Sequence, residues 1–359
     1  MSEKAYTYYD LMAARDIAGD TMTRLGAEND KIVAINADLM RSSRMQGFAA
    51  AYPERTFNVG IAEQEMVSFS AGMAKEGFLP YCFTFGAFMS MRACEQIRTD
   101  VCYNGLPVRF LGNNAGYSAG TMGSTHCALE DVGIMCSIGN MTVVEPGDPL
   151  QIAKILEASL TWEGPIYIRM GRESQTAIYD RDYKYEIGKA ITVMDGGDGA
   201  FICSGSIVHL ALDAAKKLKA DLSVDIRVID MHTIKPIDKA AVASAAKTGR
   251  IVCAQDGNIQ NGLGYQVAAV LMESGLCCKF KMLGCPDHFV PIATTEYLYG
   301  KNGYDVQGLY DNMKPVSYTH LVTLISANKT NNTIAIFFIL FPPEICLFYS
   351  VSYRNRYPK

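Results

Sequence analysis

The residues with most chemical promise lie in the stretch FNVGIAEQEMVSFSAGMAKEGFLPYCFTFGAF, residues 57–88. It places Glu63 at a strand-to-helix junction among apolar neighbours, where a carboxylate is poorly solvated and favours sharing a proton with a partner nitrogen. Phe85 and Phe88 follow, three residues apart, just after an expected strand. Together they can form a flat apolar slot with one acid at its edge. An aminopyrimidine ring requires that combination: stacking on its face and a carboxyl group at N1′. Plainer readings stand beside it, an acid favoured by a helix N-terminus for Glu63 and core packing for the two rings. A second stretch, GNNAGYSAGTMGSTH (112–126), is a glycine-rich loop at a strand end that carries His126. Open α/β sheets build their sites at such strand ends.

The elements that must position these residues are legible from the apolar pattern. KIVAINADL (31–39), PERTFNVG (53–60), YCFTFGAF (81–88), LPVRFLGNN (106–114), MTVVEPGD (141–148) and GPIYIRMGR (164–172) read as strands. Helical spacing is expected over 9–25, over 61–77 with a stop at Gly77, from the 81–88 strand to about Asn104, and over 149–162. This alternation predicts a parallel sheet covered on both faces. After a link through about Tyr185 a second alternating set begins: GAFICSGS, a helix to Lys219, VDIRVIDMHTIKP, another helix, RIVCAQDG, and a helix after GLGYQ. The expected fold class is therefore α/β, two parallel-sheet domains over 1–185 and 186–315. The tail 316–359 shows no caps or periodicity connecting it to the preceding domain. Its uncharged run TIAIFFILF is too short to span a bilayer, and it reads as a non-native extension.

Composition narrows the function classes. With 33 Lys and Arg against 37 Asp and Glu in 359 residues, the net charge of −4 offers no basic field to nucleic acid. Charged residues make up only 19%, a hint that another chain covers some surface. The 11 cysteines form no CxxC pair and no metal-type cluster. They read as reduced thiols of a cytoplasmic protein without a membrane span. No GxGxxG or Walker loop follows an early strand, which disfavours a simple nucleotide-binding protein.

On these motifs, in this order, the chain resembles the transketolase family from about residue 10 to 315. The segment around GIAEQ and FGAF resembles its pyrimidine-binding domain, and VIDMHTIKPID with NGLG its C-terminal domain. The resemblance implies a thiamine-diphosphate enzyme that transfers a two-carbon ketol unit between sugar phosphates. It makes Glu63 the family's catalytic glutamate, Phe88 and Phe85 the aromatics of the pyrimidine pocket, and Asp38, in NADL, an acid near the cofactor. It further implies that Arg15, Arg172 and Ser42 bind the sugar phosphate, that His126 contacts substrate as a catalytic residue, and that Asn114 is among the substrate-binding residues. Arg169 is an alternative to Arg172.

Two departures concern the sugar. Met122 stands where the family has an aspartate, and Asn114 where it has a histidine, so partners that discriminate hydroxyl configuration are replaced. The implied sugar is thus other than the common ketose phosphates: branched, deoxy or sulfonated. Full-length members begin with a diphosphate-binding domain whose GDG motif and downstream Asn hold the metal. Here Gly197-Asp198-Gly199 falls in an expected turn of the second domain, with no metal role. The resemblance therefore implies the C-terminal subunit of a split transketolase. A separate N-terminal subunit would bind diphosphate and Mg2+, in an assembly of two copies of each. In the second domain Ala254-Gln255-Asp256-Gly257-Asn258 replaces the family's EEH-like segment. Deoxyxylulose-phosphate synthases, 2-oxoacid dehydrogenase β chains and a non-catalytic regulatory homologue are the alternatives.

Overall fold

Strands buried on both faces are apolar at successive positions rather than alternate ones. The runs IVAIN, LPYCFTF, RFLGN, TVV and IYIR have that character, and each is buried along its whole length. In the computed structural model of the protein, which describes residues 11–179 and 183–314, they form one seven-stranded sheet. Its order is Thr233–Lys235, Thr142–Val144, Ile166–Arg169, Arg109–Asn113, Leu79–Phe85, Ile32–Asn36, Thr56–Asn58. Neighbours are parallel except at the first edge. The carboxyl ends of the parallel strands therefore lie along one rim, and the loops leaving that rim carry Asp38, Glu63, Phe88 and Asn114.

The second sheet runs Lys279–Cys285, Arg250–Asn258, Gly199–Cys203, Ile226–Asp230, Ile191–Met194. Its first four strands are parallel and the last is antiparallel. Helices Ile207–Leu222, Lys239–Ala246, Leu263–Glu273 and Val306–Met313 accompany it. Asp238 and Asp305 cap two of them by accepting from the backbone N–H groups of Ala241 and Gly308. The expected segment VDIRVIDMHTIKP divides between the sheets. Ile226–Asp230 stays in the second, whereas Thr233–Lys235 pairs antiparallel with Thr142–Val144 and closes the first.

Some element bounds differ from the sequence expectation. The first helix is Ala14–Glu28 rather than 9–25, because Met12–Ala13 is extended and pairs with Ser174–Gln175. The helical stretch after Phe85 is interrupted: π-turns at Phe88–Arg92 and Ile97–Cys102 flank a short α-turn at Cys94–Gln96. Such bulges often re-aim side chains at functional sites. The glycine-rich loop folds as 3-10 turns over Gly116–Met122. The ten described cysteines are all free, and burial pushes several thiols up, Cys82 to about 12. Among the described residues no helix is long and apolar enough to cross a membrane. The tail 316–359 lies outside the described residues.

Candidate active site

Glu63 is the first residue of helix Glu63–Lys75 and is only 1% exposed. Its Oε1 accepts a hydrogen bond from Arg92 Nη1 at 2.7 Å, while its buried Oε2 has no partner. A buried carboxylate oxygen left unpaired is costly. Phe85 ends its strand and Phe88 opens the next turn; their rings are 5.7 Å apart and tilted by 41°. His126 completes the group, with its ring 5.8 Å from Phe85 and 5.5 Å from Phe88. Its Nδ1 is 2.8 Å from Thr125 Oγ1. The guanidinium of Arg92 lies over Phe88, 4.6 Å from the ring centroid. The structure thus brings Glu63, Phe85, Phe88 and His126 to one place.

A second pole gathers cations. Arg15, in the first turn of Ala14–Glu28, donates from Nη1 to the Ser42 carbonyl at 3.5 Å, and its buried Nε has no partner. Burial, together with the charges of Arg44 and Arg172, holds the Arg15 guanidinium below its ordinary pKa. Cations so assembled favour an anion between them. Arg44 is paired with Asp16 at 2.8 Å, whereas neither Arg15 nor Arg172 has an ion-pair partner among the described residues. The segment carrying Ser42 and Arg44 packs tightly on the first helix at Gly19. A Cβ there would stand 2.2 Å from the Arg44 carbonyl oxygen. Ser42 is half-buried beside this pole.

Met122 stands beside the cationic pole. Its sulfur is 3.4 Å from Arg172 Nη1 and 4.0 Å from Asn114 Nδ2. Asn114 is buried in the left-handed region, with φ of 61°. A thioether is a weak acceptor, so Met122 offers these two donors a soft, nearly apolar neighbour. Asp38 stands apart from the ring cluster. Exposed, with φ of 59°, it exchanges hydrogen bonds with Asn58: its own N–H donates to Oδ1 at 3.0 Å, and Asn58 Nδ2 returns one at 3.3 Å.

The structure also separates the two arginines that sequence left as alternatives. Arg169 is fully buried, pairs with Asp131 at 2.8 Å and with Glu145, and donates to the carbonyls of Ala128 and Asp256. It is neutralised and enclosed, whereas Arg172 is exposed and touches Met122. Asp198 of the GDG triplet accepts from the Asp225 N–H at 2.7 Å and so holds a turn. Arg92 and Arg44 were missed in the sequence. The spacing of Arg92, four residues after Phe88 in a helical stretch, was the available signal.

Comparison with known proteins identifies the family. Residues 10–176 match the transketolase pyrimidine-binding domain and residues 188–308 the transketolase C-terminal domain. The chain is 37% identical, over 80% of its length and 89% of the relative's, to a 6-deoxy-6-sulfo-D-fructose transketolase subunit of Clostridium sp. (strain MSTE9). It is 34% identical to a putative transketolase C-terminal section of Methanocaldococcus jannaschii, over 81% of this chain and 92% of the relative. Among solved structures, a split-gene transketolase in an inactive β4 tetramer superposes with a TM-score of 0.76 at 34% identity. That match covers 85% of this chain and 97% of the other. The chain belongs to the transketolase family, with the two α/β domains of its pyrimidine-binding and C-terminal parts. Within that family it corresponds to the C-terminal subunit of a split transketolase.

Proposed function

We propose that the chain is the pyrimidine-binding subunit of a thiamine-diphosphate-dependent enzyme that transfers a two-carbon ketol unit between sugar phosphates. The observation that carries this reading is the unpartnered Oε2 of buried Glu63 at the edge of the slot made by Phe85 and Phe88. Those residues fit the aminopyrimidine: the carboxyl meets the ring nitrogen and the rings supply apolar faces. When bound, the cofactor supplies a carbon nucleophile that no side chain here offers.

The chain's own residues orient, hold protons and bind the substrate. Glu63 holds the proton shared with the ring nitrogen. Arg15, Arg172 and Ser42 bind the anionic end of the sugar, while His126 and Asn114 contact its oxygens. Asp38 is the acid that would lie near the cofactor. A separate N-terminal subunit supplies the diphosphate and Mg2+ contacts in a two-plus-two cytoplasmic assembly. The domains divide as 1–185 and 186–315.

The soft thioether of Met122 supports a sugar lacking an ordinary hydroxyl at that position. So does likeness to a relative named for a sulfonated, deoxygenated sugar and to apulose-4-phosphate transketolase subunits, 32% identical in Actinobacillus succinogenes. The test is ketol transfer by this chain mixed with the N-terminal subunit, thiamine diphosphate and Mg2+, assayed on a panel including xylulose 5-phosphate and 6-deoxy-6-sulfofructose. Transfer is expected, and preference for the unusual sugar. Pyruvate decarboxylation without ketol transfer would overturn the reading in favour of a synthase or dehydrogenase.

A further inference from the structure

The loop that carries Met122 and His126 has little structure of its own beyond 3-10 turns, yet its inner side is fully engaged. Its base is closed by pairing of Ala115 with Ala128 and by the Gly116 N–H donating to the Ala128 carbonyl at 2.8 Å. Met122 and His126 touch first-domain side chains, Arg172 and Asn114 for the one and Phe85 and Phe88 for the other, whereas the backbone around Tyr117 and Gly120 is anchored by the second domain. The Tyr117 N–H donates to both carboxylate oxygens of Asp256, at 2.9 and 3.1 Å. Thr295 Oγ1 stands 3.0 Å from the Tyr117 carbonyl and 2.7 Å from Glu173 Oε1, sharing its one proton between them, and the Tyr117 hydroxyl accepts from Asn302 Nδ2 at 2.8 Å. The Tyr117 ring stacks on Tyr304 at 6.1 Å and 18°. Further along, the Gly120 carbonyl accepts from the Ala293 N–H at 3.3 Å, and Ser124 Oγ donates to the Val290 carbonyl at 3.0 Å.

Asp256 is the hub of this mould. Tyr299 donates to its Oδ2 at 2.8 Å, and Arg169 holds its backbone carbonyl at 2.8 Å. The approach is close enough to require glycine opposite. Gly116 has φ of +57°, and a Cβ on it would stand 2.1 Å from the Asp256 carboxyl. Burial pushes that carboxyl up to about 7, against the pull of Arg169.

We propose that Asp256 is a positioning residue for sugar binding: from the second domain it holds the Tyr117 backbone and thereby sets where Met122 and His126 stand in the pocket. The second domain then shapes substrate preference without touching substrate. This rests on the reading of that pocket as the sugar site.

The experiment compares wild type with Asp256→Ala, Asp256→Asn and Thr295→Val. Hydrogen exchange over 115–127 is followed in the chain alone. Steady-state kinetics of the assembled complex use xylulose 5-phosphate and 6-deoxy-6-sulfofructose as probe donors, with thiamine diphosphate titrated separately. Asp256→Ala is expected to speed exchange in the loop and raise the donor KM about tenfold or more, with kcat and cofactor affinity changing several-fold less than KM does. Asp256→Asn keeps one acceptor for the Tyr117 N–H and should recover most of the loss. Thr295→Val should act in the same direction more weakly, and carries the comparison if Asp256→Ala does not fold. Unaltered loop exchange overturns the proposal, as does an unaltered KM or a joint fall of KM performance, kcat, cofactor affinity and Tm. A wild-type complex that transfers no ketol overturns the catalytic reading and sugar positioning with it. Normal wild-type transfer with an unchanged variant KM overturns the positioning role alone.

Discussion

Arg92 donates to Glu63 Oε1 at 2.7 Å while its guanidinium covers the Phe88 ring at 4.6 Å. One planar cation thus holds the buried acid by one oxygen and leaves the other without a partner. The Arg92 side chain is 49% exposed and that of Glu63 only 2%, so the acid depends on the pair more than the base does. Arg92→Met, which keeps bulk but removes charge, should leave Glu63 buried and unpaired. Ketol transfer should then fall roughly tenfold and stability by about 1–3 kcal/mol. Adding Glu63→Gln should recover the stability but not the activity, a coupling read directly from the Tm values of the double-mutant cycle.

Glu63→Gln alone separates the catalytic reading from the scaffold one. The amide is isosteric and can still accept from Arg92, so Tm should hold or rise. Transfer by the assembled complex should drop at least about 100-fold, the scale of a lost proton-transfer group. Unchanged turnover would show that Glu63 is an ordinary helix-terminal acid.

At the cationic pole, Arg15→Ala and Arg172→Ala should each raise KM for a phosphorylated or sulfonated donor. An increase of about 10- to 100-fold is expected, the worth of a charge-assisted hydrogen bond of roughly 1.5–3 kcal/mol. With an uncharged ketose, either variant should match wild type. Equal losses on charged and uncharged donors would place these arginines outside the anion site.

Met122→Asp would put a carboxylate where the sulfur now meets Arg172 and Asn114. Competition between xylulose 5-phosphate and 6-deoxy-6-sulfofructose reads its effect. The kcat/KM ratio should move about tenfold towards the hydroxyl-bearing pentose. A ratio that stays put assigns specificity elsewhere in the pocket.

Asp230 bears on pH. Burial pushes its carboxyl up to about 7, assisted by Asp148 and Glu145 and opposed by hydrogen bonds from Tyr179 and Gln151. Its Oδ1 is buried and unpartnered. The folded chain therefore keeps a proton that the unfolded chain loses near pH 4. Asp230 accordingly lowers stability as pH rises from about 4 to 7, with no further change above. In Asp230→Asn that loss disappears, so its Tm relative to wild type should climb between pH 5 and pH 8. A constant difference across that range would contradict the raised carboxyl.

Much of the molecule was determined by its local pattern. Doubly apolar runs specify strands of a covered parallel sheet, and the position of Glu63 after a short strand puts it at a helix start. The three-residue spacing of Phe85 and Phe88 brings their rings together around one turn. These depend on neighbours in the chain, which a sequence displays.

What the sequence left open depended on groups far apart. Glu63 meets Arg92 across 29 positions, and Tyr117 meets Asp256 across 139. Arg169 and Arg172 are three residues apart in one segment, yet one is sealed among Asp131, Glu145 and two carbonyls while the other faces solvent. Thr233–Lys235 reads like its own domain but closes the other sheet. In each case the outcome turned on which surfaces pack together, and hence on which charges are desolvated and which backbone groups find partners. Those are properties of tertiary structure, because no single segment contains both halves of the interaction.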